Sequence, residues 1–370
     1  MSRRRPPVES VRPEIRALPV YRLERPPDVP KRFRIDQNES PWDPPRRLKE
    51  RVAAELLERP WSRYPEFHAE ALREALGRHH GWPADGVLVG NGSNELLATA
   101  VEAFVRPGGE LLGMVPSFGL YPLYAVRAGA TARLLGPRAD LAAPLDELHR
   151  EVARDPRRPV LLASPNNPTG EALEPAALAA LAAALEAPLL LDAAYAELCR
   201  HDYRTLLDDH PNLVLFRTFS KAWALAGLRV GYLMGDPELV VELIKVKLPY
   251  NVGHAAAVAA LATLAEEGAA RRRVAALRAR RAGWAAMLRG FGLEVFPSEA
   301  NFHLVRFGTP EEARRVHREL ARRGILVRDV GAGPGLAGCL RFSVGDGGVL
   351  RAARRALGEI LREPARKEVP

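Results

Sequence analysis

Short apolar runs alternate with helical patterns from Val87 onward, and this alternation is typical of parallel β-α-β units. Amphipathic or alanine-rich stretches between the runs predict helices at Asn94 to Phe104, Pro175 to Leu185 and Pro237 to Lys247. The runs themselves predict strands at Val87 to Val89, Leu111 to Val115, Ala132 to Leu135, Val160 to Ala163, Leu189 to Leu191, Leu213 to Arg217 and Val230 to Met234. We therefore expect an α/β fold with a large, mostly parallel sheet.

A second pattern begins near residue 255. A long helical stretch from His254 to Arg289, rich in alanine and arginine, is followed by short strands and two more helices. The strands are predicted at Leu293 to Phe296, Phe302 to Arg306, Leu326 to Arg328 and Leu340 to Val344, and the helices at Pro310 to Arg323 and Val349 to Arg362. This order predicts an N-terminal arm at residues 1–35, a large domain at 36–255, a connecting helical segment at 256–290 and a smaller α+β domain at 291–370, with which the N-terminal segment packs.

The composition is that of a globular protein, with 47% hydrophobic and 27% charged residues. The net charge of +9 would suit a nucleic acid, but the arginines are scattered along helices and no DNA-binding module precedes the main body. No apolar run approaches the ~20 residues that cross a membrane. We therefore expect a protein that binds neither nucleic acid nor a membrane.

The N-terminal residues, the cysteines and the histidines allow predictions of the cellular location, the state of the thiols and metal binding. The first residues, from Met1 to Pro7, carry charge with no apolar stretch behind them, which favours the cytoplasm over secretion. Cys199 and Cys339 are expected to be free thiols. The pairs His79-His80 and His201-Asp202 lack the spacing of metal ligands, so no metal site is predicted.

Lys221 differs from the other lysines in its surroundings. It follows a predicted strand and stands among hydroxyl and small apolar residues, in Thr218-Phe-Ser-Lys-Ala-Trp-Ala-Leu-Ala-Gly-Leu-Arg-Val-Gly231. Burial at such a place would lower the pKa of the amine and free it to form an imine. Taken alone, a lysine that ends a strand and reaches solvent is the simpler interpretation.

Other polar residues follow the ends of neighbouring predicted strands. Asp192 ends the run Leu189-Leu-Leu-Asp192, Tyr195 follows three residues later, and Asn167 lies in the turn Ser164-Pro-Asn-Asn-Pro-Thr-Gly170. In open α/β sheets, ligands bind at the carboxyl ends of the strands. Asp192 could keep a pyridine nitrogen protonated, while Asn167 and Tyr195 could donate to a ring oxygen. A packed core tyrosine and an ordinary turn asparagine are the alternatives.

The first strand of the sheet leads through Gly90-Asn-Gly-Ser-Asn-Glu95 directly into a helix, which is the layout of a phosphate site at a helix N-terminus. Gly92 would let the backbone approach the anion, and Ser93 and Asn94 could offer their amides, although both are also ordinary helix caps. Ser220 and Arg229 could complete the site, because an arginine forms paired hydrogen bonds with phosphate oxygens.

Together these segments resemble the fold-type I pyridoxal-phosphate (PLP) dependent aminotransferases. The resemblance rests on Asn167-Pro-Thr-Gly170, on Asp192 with Tyr195, and on Ser220-Lys221 followed by Arg229. It implies that Lys221 forms the imine with PLP and that Asp192 pairs with the pyridine nitrogen. Asn167 and Tyr195 then contact the ring oxygen. Phe118, in Pro116-Ser-Phe118, matches the aromatic residue that stacks on the ring in that class.

Further segments, between about Leu18 and Arg362, resemble the histidinol-phosphate aminotransferases. They are Asn38-Glu-Ser-Pro41, Arg63-Tyr-Pro65, Pro297-Ser-Glu-Ala-Asn-Phe302, Val327-Arg-Asp329 and Leu340-Arg-Phe-Ser-Val-Gly345. This resemblance implies a homodimer with shared active sites. In it, Tyr64 reaches the cofactor phosphate of the partner subunit, and Tyr21 closes over the substrate.

The same resemblance implies that Arg328, Arg341 and Asn167 contact the substrates, which are glutamate or 2-oxoglutarate and a phosphorylated amino alcohol or its ketone. Forked hydrogen bonds from an arginine suit a carboxylate and a phosphate alike, with surface charge as the alternative. The expected reaction transfers an amino group from L-glutamate to imidazole acetol phosphate and gives histidinol phosphate, a step of histidine biosynthesis. An aromatic or broad-range aminotransferase, a threonine-phosphate decarboxylase and a DNA-binding regulator with an aminotransferase-like sensor domain remain alternatives.

Overall fold

The computed structural model describes residues 8–18, 20 and 32–362. The strands are β1 (Phe33–Arg34), β2 (Val87–Gly90), β3 (Glu110–Met114), β4 (Thr131–Leu135), β5 (Val160–Ala163), β6 (Leu189–Asp192), β7 (Leu213–Thr218), β8 (Gly231–Met234), β9 (Glu294–Val295), β10 (Phe302–Arg306), β11 (Ile325–Leu326), β12 (Arg328–Asp329) and β13 (Cys339–Ser343). The α-helices are α1 (Pro13–Arg16), α2 (Arg46–Glu58), α3 (Glu70–His80), α4 (Ser93–Phe104), α5 (Tyr121–Arg127), α6 (Leu145–Arg154), α7 (Pro175–Ala184), α8 (Pro237–Val246), α9 (His254–Leu264), α10 (Glu267–Arg289), α11 (Pro310–Arg322) and α12 (Gly347–Arg362). Within the described residues, none of these helices is long and apolar enough to span a membrane.

Seven strands form the large sheet in the order β2-β8-β7-β6-β5-β3-β4. Strand β8 runs antiparallel to both of its neighbours, and the other pairs are parallel. The predicted α/β fold with a mostly parallel sheet is therefore confirmed, and each predicted strand of this sheet matches the observed one to within one residue at each end. The connection from β7 to β8 contains Lys221 and no α-helix, which is why the two strands run antiparallel.

Both faces of the large sheet are buried, because side chains along each strand alternate between two apolar layers. Leu112, Leu162 and Leu191 pack in the layer that also holds α3, α7 and α9 residues. Their chain neighbours Leu111 and Leu161 pack in the opposite layer, against residues of α4, α5 and α8. With helices on both faces, the carboxyl edge of the parallel strands is the place where a ligand can reach the sheet.

The C-terminal part forms a four-stranded antiparallel sheet in the order β12-β13-β10-β9. Its core includes the fully buried Trp284 of α10, whose ring nitrogen donates to the carbonyl of Gly345 at 3.2 Å. The predicted strand at Leu326 to Arg328 is wrong as a single element. Ile325–Leu326 pairs in parallel with β1, while Arg328–Asp329 joins the four-stranded sheet.

The predicted helical stretch from His254 to Arg289 is two helices, α9 and α10, rather than one. The chain bends between them at Ala265 and Glu266. Two features explain the bend: the hydroxyl of Thr263 donates to the carbonyl of Ala259 at 2.7 Å, and such bonds favour bending of a helix. The Glu266 carboxylate, for its part, faces arginines of α2 and lies 3.3 Å from Arg51.

Candidate active site

A cavity of about 720 Å³ lies at the carboxyl edge of the large sheet, between that edge and the strands of the C-terminal sheet. It is lined by most of the residues that the sequence predicts for the site, namely Ser93, Asn94, Phe118, Asn167, Asp192, Tyr195, Ser220, Lys221, Arg229, Arg328 and Arg341. The structure therefore brings together residues that are spread in the chain from Ser93 to Arg341. Their individual roles remain predictions from the resemblance.

Lys221 lies in the cavity wall just beyond the end of β7 and is partly buried. Its amine donates to the backbone carbonyl of Gln37 at 3.1 Å, and it lies 6.0 Å from the centre of the Tyr195 ring. The side chain is thus turned into the cavity, and the interpretation of Lys221 as a lysine that reaches bulk solvent is wrong.

The pKa of the Lys221 amine is lowered from 10.5 to about 8, and removal from bulk water is the largest cause. The positive charge of Arg341 contributes to this lowering, and that of Arg229 acts in the same direction. The carboxylates of Glu39 and Asp192 oppose this shift. At neutral pH a measurable fraction of the amine is therefore neutral, and only the neutral form can accept a proton or attack a carbonyl carbon.

Asp192 ends strand β6 and is buried, with 7% of its surface exposed. Its two oxygens accept hydrogen bonds from the Tyr121 hydroxyl at 2.8 Å and from the Ala194 amide at 3.1 Å. Burial raises the pKa of this carboxyl group, and the hydrogen bond from Tyr121 acts against that rise. A buried carboxylate with donors on two sides is suited to hold a cationic ring nitrogen at its remaining lone pairs.

Tyr121 is a residue of this site that sequence reasoning did not find. It begins helix α5 and is buried, three positions after Phe118. Only the contact with Asp192, 71 positions away, reveals its role in holding that carboxylate. The nearest sequence signal is its place just after the predicted stacking residue.

The turn after β5 presents Asn167 to the cavity because its neighbour Asn166 holds the turn. The side-chain amide of Asn166 donates to Pro116 O and to the Thr169 hydroxyl, both at 2.9 Å. The amide oxygen of Asn167 accepts a hydrogen bond of 2.6 Å from Arg341. Because its oxygen is occupied, the side chain of Asn167 offers the cavity its NH₂ group, which is a donor.

Residues predicted for a phosphate site come together where helix α4 begins. Gly92 precedes the helix with a φ of +78°, and a Cβ atom there would lie 2.4 Å from a guanidinium nitrogen of Arg229. Arg229 is fixed in turn by donation to the Ser220 hydroxyl at 3.2 Å and to the Ala226 carbonyl at 3.1 Å. Free amides at a helix N-terminus, a guanidinium and a serine hydroxyl are the donor set of a phosphate site.

Arg328 and Arg341 are direct partners on the facing strands β12 and β13, so two positive side chains stand side by side at the cavity. Arg341 is only 8% exposed, which excludes its interpretation as surface charge. Its guanidinium also donates to the backbone carbonyl of Asp36 at 2.7 Å. Like charges on facing strands repel, and an anionic ligand between them would remove that repulsion.

Three predicted site residues are not among those that line the cavity, and of these Gly92 lies at its edge, against Arg229. Tyr64 lies on the surface with 78% of its area exposed, and its ring stacks on that of Tyr250 at 4.6 Å between centres. Tyr21 lies outside the described residues. As for metals, the residues that the structure describes contain no group of three or more histidine, cysteine, aspartate or glutamate side chains that could hold an ion.

Solved structures share this fold along almost its full length. Histidinol-phosphate aminotransferase from Sinorhizobium meliloti, crystallised in complex with pyridoxal-5'-phosphate, superposes with a TM-score of 0.83 at 27% identity and covers 95% of this chain and 97% of that one. L-threonine-O-3-phosphate decarboxylase from Porphyromonas gingivalis superposes with a TM-score of 0.76 at 22% identity, covering 90% of this chain and 100% of that one. The architecture is thus that of the fold-type I PLP-dependent enzymes.

The family follows from the sequence. A family model for aminotransferases of class I and II matches residues 31–357. The histidinol-phosphate aminotransferase of Chlorobium phaeovibrioides is 36% identical over 335 residues, which make up 90% of this chain and 92% of that protein. The chain belongs to the class I and II aminotransferases.

Proposed function

We propose that this chain is a PLP-dependent histidinol-phosphate aminotransferase, which moves the amino group of L-glutamate to imidazole acetol phosphate in histidine biosynthesis. The observation that carries the proposal is the pairing, in one cavity, of a partly neutral lysine with two adjacent arginines, Lys221 with Arg328 and Arg341. The activity named for the Chlorobium phaeovibrioides relative supports the same reaction.

The residues present fit the cofactor. The cradle over Gly92, with Ser93, Ser220 and Arg229, suits its phosphate, since the absence of a Cβ at Gly92 lets the guanidinium lie directly over the start of the helix. Asp192 would hold the ring nitrogen. The ring oxygen would be contacted by Asn167 and Tyr195, and the ring face by Phe118, which lines the same cavity. When bound, pyridoxal phosphate supplies a conjugated ring that draws electrons from the substrate α-carbon.

The protein then has three tasks, and its own residues perform each. As a neutral amine, Lys221 would accept the proton of the substrate α-carbon at its Nζ atom and hold it for return, which its lowered pKa permits at neutral pH. Asp192 would keep the ring nitrogen charged. Arg328 and Arg341 hold the anionic end of the substrate and so fix the α-carbon near Lys221, which removes much of the entropic cost of the reaction.

The same arginines explain how one site can serve two substrates. Histidinol phosphate has no α-carboxylate, whereas glutamate carries two carboxylates. A guanidinium makes forked hydrogen bonds with a phosphate or a carboxylate, so the phosphate of one substrate can occupy the place of a carboxylate of the other. Arg341 is held toward the cavity by Asn167 and by Asp36 O, which leaves little entropy to lose when either anion binds.

A spectral titration tests the proposal. The protein and its Lys221→Ala variant are loaded with pyridoxal phosphate and titrated with glutamate, and the glutamate-treated wild type is then given imidazole acetol phosphate. We expect glutamate to convert the visible absorption of the wild type to that of the amine form of the cofactor, and imidazole acetol phosphate to reverse it, with neither change in the variant. A wild type that reacts with glutamate yet ignores imidazole acetol phosphate would contradict the proposed substrate.

We further propose that the working enzyme is a homodimer in which Tyr64 completes the site of the partner subunit. Its location in the cytoplasm stays a prediction from the sequence. Support comes from an exposed apolar surface around Tyr64, with Trp61 79%, Leu248 70% and Phe67 45% exposed, an arrangement that marks interaction sites on soluble proteins.

Mixing two inactive variants tests the dimer. In a mixed dimer of Lys221→Ala and Tyr64→Ala chains, one site carries both defects and the other carries neither. We therefore expect activity to return when the two variants exchange subunits, and sedimentation of the wild type to give twice the mass of one chain. Mixtures that stay inactive, although mixed dimers have formed, would rule out the shared site.

A further inference from the structure

Asn38 makes an unusual set of contacts at the floor of the cavity. It is 1% exposed and has a φ of +53°, in the left-handed region that asparagine tolerates better than most residues. Its side-chain amide nitrogen donates to the Tyr195 hydroxyl at 2.9 Å. The orientation of the amide is fixed by Ser343, whose hydroxyl accepts from the backbone N–H of Asn38 and donates to its side-chain oxygen, both at 2.9 Å.

The contact with Asn38 fixes the direction in which the Tyr195 hydroxyl can donate a hydrogen bond. An amide nitrogen carries donors only, so the phenol oxygen is the acceptor in the bond from Asn38. The proton of Tyr195 must then point away from Asn38. Tyr195 lines the cavity, and its ring lies 6.0 Å from the amine of Lys221. Its hydroxyl is therefore left as a donor toward the cavity.

Asn167, which lines the same cavity, is also held as a donor. Its side-chain oxygen is occupied by Arg341, and its amide hydrogens are left for the cavity. The two predicted partners of the cofactor ring oxygen are thus each held as donors by a further residue. Arg341 holds Asn167 as a donor by occupying its side-chain oxygen, and Asn38 holds Tyr195 as a donor by donating to its hydroxyl oxygen.

We propose that Asn38 is a positioning residue that directs the proton of Tyr195 at the ring oxygen of the bound cofactor. The inference rests on the proposed cofactor site and goes beyond it, because Asn38 need not touch the cofactor or the substrate. The short segment from Asp36 to Glu39 that carries Asn38 also supplies Gln37 O, the acceptor for Lys221. One segment therefore holds both the lysine and the tyrosine in place.

The segment is itself tied to the C-terminal sheet. Asn301 donates to the carbonyl of Asn38 at 3.0 Å, and Arg341 donates to that of Asp36 at 2.7 Å. These bonds hold the backbone but do not reach the Tyr195 hydroxyl. They provide a control, because a variant at Asn301 loosens the segment while the amide of Asn38 stays intact.

The readout is the pH titration of the visible absorption of the bound cofactor, which requires no turnover. A hydrogen bond donated to the ring oxygen stabilises its negative charge, and the proton shared between that oxygen and the lysine-linked nitrogen then leaves at lower pH. Weaker donation raises the midpoint. The charged groups facing Tyr195 and Lys221, namely Asp192, Arg341, Arg229 and Glu39, are unchanged in every variant used.

We expect Asn38→Gly, which keeps the left-handed backbone and adds no charge, to raise the midpoint by about half to one pH unit, the equivalent of one hydrogen bond. In a Tyr195→Phe background the same change should produce no shift, since the hydroxyl through which it acts is gone. Asn301→Ala should lower the melting temperature and leave the midpoint in place.

Several results would overturn the inference. An unchanged midpoint in Asn38→Gly, an equal shift in the Tyr195→Phe background, or the same shift from Asn301→Ala would each show that Asn38 does not act through the Tyr195 hydroxyl. These outcomes leave the proposed function intact. A wild-type protein that shows no visible cofactor absorption would instead overturn the proposed cofactor, and with it this role of Asn38.

Discussion

Replacement of Gly92 by alanine tests the proposed phosphate cradle most sharply. The added Cβ atom would lie 2.4 Å from a terminal nitrogen of Arg229 and 3.2 Å from its guanidinium carbon, well inside contact distance. The exposed Arg229 side chain must then move away, and its hydrogen bonds to Ser220 and the Ala226 carbonyl oppose that movement. The substitution therefore displaces the guanidinium from the start of helix α4.

The substitution should reduce both the stability of the fold and the affinity for the cofactor, and the two losses are measured separately. Alanine at the φ of +78° and ψ of 158° found for Gly92 should lower the free energy of unfolding by about 1–3 kcal/mol, because residues with a Cβ atom are strained in this conformation. Loss of one charge-assisted hydrogen bond to phosphate costs about 1.5–3 kcal/mol of binding. This corresponds to a cofactor Kd that is about 10- to 150-fold higher.

The affinity is best measured by equilibrium dialysis in the Lys221→Ala background, where the covalent bond cannot mask a weakened phosphate site. Gly119→Ala is the matched control, since Gly119 lines the same cavity and a Cβ atom there has no neighbour within 4 Å. We expect the control to bind as tightly as its parent. Equal affinities for Gly92→Ala and the parent, or equal losses in both alanine variants, would refute the phosphate cradle.

Three further outcomes are expected. The rate at which pyridoxal phosphate attaches to the cofactor-free protein should rise with pH to a plateau with a midpoint near 8, because Lys221 attacks only as the neutral amine; a rate still climbing steeply at pH 10 would contradict the lowered pKa. Arg341→Gln should move this midpoint upward, since the positive charge that disfavours the ammonium form is lost, whereas an unchanged or lower midpoint would argue against that coupling. Trp284→Ala should cost about 3–5 kcal/mol in denaturant unfolding because the ring is fully buried, and a loss below about 1 kcal/mol would mean that the C-terminal core is held by other contacts.

The large sheet could be predicted because its strands are buried on both faces. A run such as Leu189–Asp192 is almost wholly apolar and is bounded by proline and turn residues, so one short segment carries the whole signal. The antiparallel direction of β8 could not be predicted in the same way, because direction depends on the path of the chain between two strands. The bend at Ala265 likewise reflects a contact with α2 that lies far away in the sequence.

In the candidate site, too, some residues could be predicted from the sequence and others could not. Lys221, Asp192 and Asn167 follow strand ends, where the topology of the sheet alone places them at one edge. Tyr121 and Asn38 have no such signal, since each acts through one hydrogen bond to a residue 71 or 157 positions away. Asn38 stands in one of the segments that carry the family resemblance, and Tyr121 stands in a short helix. Neither position indicates a partner, and only the folded chain shows which atoms the two residues meet.

The proposed reaction is tested most directly by product analysis with purified, cofactor-loaded protein. Incubation with L-glutamate and imidazole acetol phosphate should yield histidinol phosphate and 2-oxoglutarate in equal amounts, with a higher kcat/KM than for phenylpyruvate as acceptor. No histidinol phosphate, a preference for phenylpyruvate, or release of carbon dioxide from threonine phosphate in place of amino transfer would contradict the account.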